Sequence, residues 1–302
     1  MAIEDKAVLW FIQRFVIPRS QVIDKPGFVI FRISYKTNVY SRQIVVPESL
    51  FVLIEKNTAA KYGERGKRIL YSIGKRFGYR FATISRVLMI RDTDKKGFIN
   101  YGNILVKFIE GTYASNISNH VDLENETIKF TFDNFVICRK SGIGFLISVG
   151  GIAGICSYMF CNPKIEAVQP KCQGRGDNRC IVISAPKSIL KKMGYEVFEE
   201  ENVENIQPHY SYREMNKIRD VKSNLSLKGL IENNIFGFER GFISYKGERY
   251  FIVEASFPYL IEEGIKRLRG GEKFLFNSSA NPQNKIGNVF SSLLHTIVIS
   301  FI

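Results

Sequence analysis

Residues 141–161, SGIGFLISVGGIAGICSYMFC, decide between two classes of protein. They carry no charge over about 20 residues, the length a membrane-spanning helix needs. Yet Gly142, Gly144, Gly150, Gly151 and Gly154, with Ser141, Ser148 and Ser157, dilute the hydrophobicity and let another helix or a sheet approach closely. The stretch therefore reads as a buried central helix, and no membrane span is expected. The apolar tail at 289–302 (VFSSLLHTIVISFI) is too short to span and is expected to close a core or a subunit interface.

Upstream of the glycine-rich stretch, residues 27–46 (GFVIFRISYKTNVYSRQIVV) are β-branched and aromatic, with polar Lys36, Thr37 and Asn38 at the middle, which predicts a β-hairpin. Pro47, Glu48 and Ser49 open a helical pattern on Leu50, Leu53 and Ile54, interrupted at 62–66 (YGERG). A second helix runs through Ile69, Leu70, Ile73 and Phe77, whose 3–4 spacing defines one apolar face. Another is expected at about 101–115, on Ile104, Leu105, Phe108 and Ile109, and strand alternation returns at 127–138 (TIKFTFDNFVIC). Helices and antiparallel strands arrive in clusters, an α+β pattern with the sheet packed against helices. The first residues, MAIEDKAVLWFIQRFV, read as an amphipathic helix that packs.

A composition change at Pro186, the segment 187–194 (KSILKKMG) and the acidic run 199–204 places a boundary near 186. The expected organisation is an N-terminal helix or arm at 1–26, a domain at 27–186 and a second at 187–302. A partial internal repeat crosses that boundary. FISYK at 242–246 echoes FRISYK at 31–36, and FPYLIE at 257–262 matches the strand-to-helix character of VPESLFVLIE at 46–55. GEKFLFNS at 271–278 and Gly287, Asn288 and Val289 follow in the same order as GKRILYS at 66–72 and Gly102, Asn103 and Ile104. The second copy would be truncated, with no counterpart of residues 120–186.

With 302 residues, 45% hydrophobic and 13% aromatic, the chain is neither disordered nor of low complexity. Lys+Arg 43 against Asp+Glu 29 leaves a net charge of +14, which suits an anionic partner and equally serves solubility. The five cysteines are an odd number and no secretory leader precedes them, so a cytoplasmic protein is expected. The wealth of Ile, Lys and Tyr is thermophile-like, and intracellular disulfides occur in thermophiles.

Residues 172–180 (CQGRGDNRC) hold two thiols at a spacing that a tight hairpin brings together. A four-ligand zinc site would need two further donors from among Cys156, Cys161, Glu166 and Gln169, and the alternative is a simple β-turn with packed or disulfide-linked cysteines. The Arg-Gly-Asp triplet at 175–177 has a sufficient explanation as a turn.

This hairpin, taken in order after Pro47, Glu48, Ser49 and Leu50, after ILYSIG at 69–74 with Gly78, after Asp133, Asn134 and Phe135, and after GGIAG at 150–154 with Ser157, resembles the 4-vinyl reductase domain family over about residues 45–186. The resemblance implies an antiparallel sheet against helices, a homodimer through the long helices, and an apolar pocket for a hydrophobic small molecule lined by Leu70, Ile73, Phe77, Phe145 and Val149. It also implies zinc, held in the family's phenol sensors by a cysteine before the glycine-rich helix, a glutamate, and two hairpin cysteines. The hairpin pair falls on Cys172 and Cys180. The early cysteine falls on Phe145 and the glutamate on Gln169, so half the cage is missing and metal is no longer the default.

The histidines His120, His209 and His295 sit in unrelated contexts, and no nucleophile elbow, phosphate-binding glycine loop or zinc-protease motif is present, so no enzyme is expected. The reading is a regulatory or sensor module that binds a hydrophobic small molecule or a partner protein, in a setting such as transcriptional regulation. Its rival is a basic nucleic-acid-binding or scaffold protein using Lys61, Arg65, Lys67, Arg68, Lys75, Arg76 and Arg80, interleaved with Tyr62, Tyr71, Phe77 and Tyr79.

Overall fold

A computed structural model of the chain describes residues 21–25, 28–34, 39–110, 113–136, 138, 146–200, 203, 233, 235, 237–239, 242–254 and 256–274. The terminal segments read as an amphipathic helix and an apolar tail lie outside these residues. The elements are β1 (Gln21–Lys25), β2 (Phe28–Ser34), β3 (Val39–Pro47), α1 (Glu48–Ser85), α2 (Lys95–Ile109), β4 (Ser115–Asp122) and β5 (Thr127–Asp133). After them come α3 (Leu146–Met159), β6 (Ile165–Lys171), β7 (Cys180–Pro186), α4 (Lys187–Lys192), β8 (Gly237–Glu239), β9 (Phe242–Tyr245), β10 (Glu248–Glu254) and α5 (Ser256–Lys266).

The fold is α+β. Two fully antiparallel sheets, of order β1-β2-β3-β10-β9-β8 and β4-β5-β7-β6, flank a helical layer in which α1 lies against α3. The expected hairpin is β2–β3, with Ser34 opposite Val39. The interruption expected at 62–66 is a backbone break within α1, where Gly63 takes φ 56° and ψ −138°, a conformation that glycine tolerates. Helix α2 begins and ends six residues earlier than its apolar spacing suggested. Its start is fixed by Asp94, whose carboxylate accepts from the amide of Gly97 at 2.6 Å, a bond that periodicity alone does not reveal.

The glycine-rich stretch forms the central helix α3, and no helix among the described residues is long and apolar enough to cross a membrane. Its glycines make the contact with α1. A Cβ on Gly150 would collide with the carbonyl of Tyr71, one on Gly154 with that of Lys75, and one on Gly74 with that of Ile147. The two backbones therefore touch directly, as the density of small residues foretold.

The C-terminal half does not stand apart. Strand β10 pairs with β3, Ile252 opposite Val45, so residues from both sides of position 186 share one sheet and one apolar core.

A three-thiol cluster beside a buried polar face

Residue Cys172 ends the excursion after β6 and Cys180 opens β7, and the loop between them turns on its own polar groups. The Cys172 amide donates to the Asp177 carboxylate at 2.8 Å, the Arg175 amide donates to the Cys172 carbonyl at 2.9 Å, and Gly176 adopts φ 97°. This loop delivers both thiols to one buried point. A third sulfur meets them there. Cys138 Sγ lies 2.8 Å from Cys172 Sγ and 3.2 Å from Cys180 Sγ, and all three are free thiols with no exposure to solvent.

The third thiol is Cys138, seven residues before Phe145, the position that the resemblance gave to an early cysteine. Phe145 itself lies outside the described residues. Gln169 does stand at the cluster, its side-chain nitrogen 2.9 Å from Cys138 Sγ. Cys156 is buried on α3 in a separate cluster of the core, and Cys161 is exposed. Glu166 is committed elsewhere.

The three sulfurs lie within 4.8 Å of one another. Thiolates on a tetrahedral zinc stand about 3.8 Å apart, given Zn–S bonds of about 2.3 Å. The donor set thus fits a thiophilic metal with small adjustments, and Gln169 stands beside one of the three sulfurs. Hydrogen bonds from Cys138 and Cys180 hold the Cys172 thiol far below its ordinary range, and the bond to Cys172 drives Cys138 far above it.

Beside the cluster, α1 carries a polar stripe. Glu55 is completely buried, and one carboxylate oxygen accepts from the Ile147 amide at 2.9 Å and from that of Leu146, capping α3. Its other oxygen has no hydrogen-bond partner, nor has the hydroxyl of completely buried Thr58, nor the buried hydroxyl of Tyr62. Positions 55, 58 and 62 share one face of the helix over about 10 Å of its length. Phe51, one turn earlier on that face, packs against Phe251 and Phe257 at 5.1 Å each. Burial above all, with the nearby Cys172 adding to it, pushes the Glu55 carboxyl well above the usual carboxylate range. Nothing in the local sequence marks this stripe, because a buried glutamate and an exposed one look alike until the opposing surface is known.

Of the apolar residues named for a pocket, Leu70, Ile73 and Val149 lie in the core and Phe77 packs on Phe257 at 4.5 Å. Ile73 faces α5, where it meets Gly264. The seven basic residues are divided. Lys75 is fully buried, its ammonium 2.8 Å from Glu166 and 2.9 Å from the Pro163 carbonyl. Arg76 and Arg80 are buried as well, Arg80 donating to Ser256 Oγ at 3.0 Å. Lys67 pairs with Glu64 at 2.6 Å, and Lys61, Arg65 and Arg68 are exposed. Three of the seven are thus enclosed by protein and out of reach of a phosphate backbone in this conformation.

No protein-family model matches the sequence, and no curated protein matches it. Among solved structures, the fold is similar to the phenol-responsive sensory domain of the transcription activator PoxR, solved with phenol. The identity is 15% and the TM-score 0.46, over 64% of this chain and 98% of that one.

Proposed function

We propose that the chain is a non-enzymatic regulatory or sensor module that binds a hydrophobic small molecule or a partner protein, and that Cys138, Cys172 and Cys180 hold a zinc ion. The buried polar stripe carries the ligand reading. Buried polar groups are nearly always hydrogen-bonded, and each one left unsatisfied costs about 1–3 kcal/mol. The free oxygen of Glu55 and the hydroxyl of Thr58 have no partner within the protein, so an occupant that supplies one recovers that cost as binding energy. The neighbouring Phe51, Phe251 and Phe257 suit an apolar body carrying one polar group. On this reading the ligand would lie along the first half of α1, away from the glycine seam where the two helix backbones meet.

The zinc ion would be structural, neutralising three clustered thiolates and tying the 172–180 loop to the segment preceding α3. In that arrangement Glu55 sets the start of α3, so the metal-bound loop and the polar stripe abut one helix terminus. The resemblance to the 4-vinyl reductase domain supports transcriptional regulation as the setting.

The test is native mass spectrometry of the full chain as purified, followed by thermal denaturation against uncharged apolar alcohols and ketones. Saturable stabilisation, lost in Glu55→Leu and retained in Cys161→Ser, is the expected result. A crystal structure with ordered waters bonded to Glu55 and Thr58, together with no stabilising compound and no co-purified molecule, overturns the small-molecule reading.

A further inference from the structure

The two-layered repeat suspected in the sequence becomes a geometric relation in the sheet. Each half contributes an antiparallel hairpin that runs straight into a helix, β2–β3–α1 and β9–β10–α5. The six strands then read outward from the centre as the same series on both sides, β3-β2-β1 and β10-β9-β8. Strand β3 ends at Pro47 and β10 at Glu254, and two residues back from each lie Val45 and Ile252, which are partners in the register. Equivalent residues of two equivalent strands therefore face each other, the signature of an isologous, two-fold contact. Near the same axis the first turns of the two helices meet, Phe51 stacking on Phe257 at 22° between ring planes.

We infer that residues 237–266 occupy, within one chain, the place that a second copy of the β2–β3–α1 unit would take, making the protein a pseudo-dimer closed on itself and monomeric across this face. An unpaired β3 would offer nine residues of open backbone to another chain, the kind of edge that folded proteins cover. Here β10 covers it. The closure is secured from several parts of the chain. The Ser49 amide donates to Glu248 at 2.8 Å, Arg249 donates to the Asn134 carbonyl at 2.8 Å, and Tyr113 donates to the Ile252 carbonyl at 2.5 Å. The Asn134 amide in turn donates to the side-chain oxygen of Gln173 in the cysteine loop, at 2.7 Å. A second copy would carry Ser41 in the place of Glu248 and so lack the acceptor that the Ser49 amide finds here, although Arg42 would stand in the place of Arg249. The inference stands whether or not the protein binds a ligand.

The test uses the full-length protein carrying Cys161→Ser, to remove the exposed thiol, and either Val45→Cys alone or Val45→Cys with Ile252→Cys. Paired residues of antiparallel strands lie about 4.5–5.5 Å apart at Cα, within disulfide reach. After mild oxidation, the double variant should close an internal bridge, seen as a mobility shift at monomer mass, and Val45→Cys alone should give no covalent dimer. Light scattering of the unmodified chain and of oxidised Val45→Cys should give the same mass, 34.6 kDa or a multiple of it. A covalent dimer from Val45→Cys alone means that β3 pairs with β3 between chains and overturns the inference. A covalent dimer from the double variant alone, meaning that the C-terminal unit is exchanged between two chains, also overturns it. Should the double variant fail to fold, the single variant and the mass decide the matter.

Discussion

Lys75 and Glu166 meet at 2.8 Å with neither side chain open to solvent, joining α1 to the second residue of β6. Around them Tyr71 donates to the second carboxylate oxygen at 2.6 Å and accepts from the Ala167 amide at 2.9 Å, while the Glu200 amide donates to the first oxygen at 3.1 Å. Ser72 bonds the Glu200 side chain, so the segment after α4 is drawn over the pair. Every charge in this knot has a partner. Burying an ion pair gains little over apolar packing, but stranding one member is expensive. Lys75→Met should therefore cost about 3–5 kcal/mol in urea unfolding, and Lys75→Met with Glu166→Leu less than the single change. A Lys75→Met protein of unchanged stability would show that solvent reaches the pair.

The Glu55 carboxyl titrates above its ordinary range because burial disfavours its charge. In the folded chain it binds a proton more tightly than in the unfolded chain, so its contribution is fully present below the unfolded pKa and is lost as pH rises through the folded one. Relative to Glu55→Gln, the unmodified protein should lose stability on going from about pH 4 toward neutral. Paired denaturant melts across that range check this, and parallel curves would show that Glu55 is solvated or already ionised.

The glycine seam makes a prediction with its own control. Gly150→Ala should destabilise by about 1–3 kcal/mol, since its methyl would enter the Tyr71 carbonyl. Gly151→Ala, whose methyl would find its nearest neighbour at 3.8 Å, should be neutral or stabilising by up to about 1 kcal/mol, the ordinary helix preference for alanine. Equal effects at the two positions, measured by thermal denaturation, would mean that the helices do not touch as described.

For the thiols, elemental analysis of the full chain should find one zinc, reduced by Cys138→Ser and by Cys172→Ser and unaffected by Cys156→Ser. Removal of the metal by a chelator should expose the 172–180 loop to proteolysis. A chain that is free of metal when purified in zinc-containing medium would leave the three cysteines as a packed cluster.

Much of this architecture was legible because it rests on local rules. The β2–β3 hairpin followed from β-branched residues around a polar turn, the break near Gly63 from a glycine-flanked polar interval, and the role of α3 from small residues too dense for a membrane. What stayed hidden depends on how distant pieces meet. Cys138 could not be tied to Cys172 because the two are 34 residues apart and only the folded chain brings their sulfurs together. Lys75, Arg76 and Arg80 read as an exposed basic run because charge in a sequence carries no sign of the Glu166 and Ser256 partners that receive it. The pairing of β3 with β10 is likewise a register between residues about 200 apart, for which no spacing rule exists.

Where Gly74, Gly150 and Gly154 lie, the seam between α1 and α3 sets a glycine carbon against a backbone carbonyl with no side chain between them. Displacement at one helix thus has no soft layer in which to dissipate. A push on the start of α3, where Glu55 and the cysteine loop converge, is handed to α1 as movement of a whole rod. That rod is rigid beyond Gly63 and leads through Ile73 and Phe77 to α5. Gly63, with its positive φ, breaks the helix between the Glu55 end and that rod, and a residue with a side chain there would strain the link without touching either end.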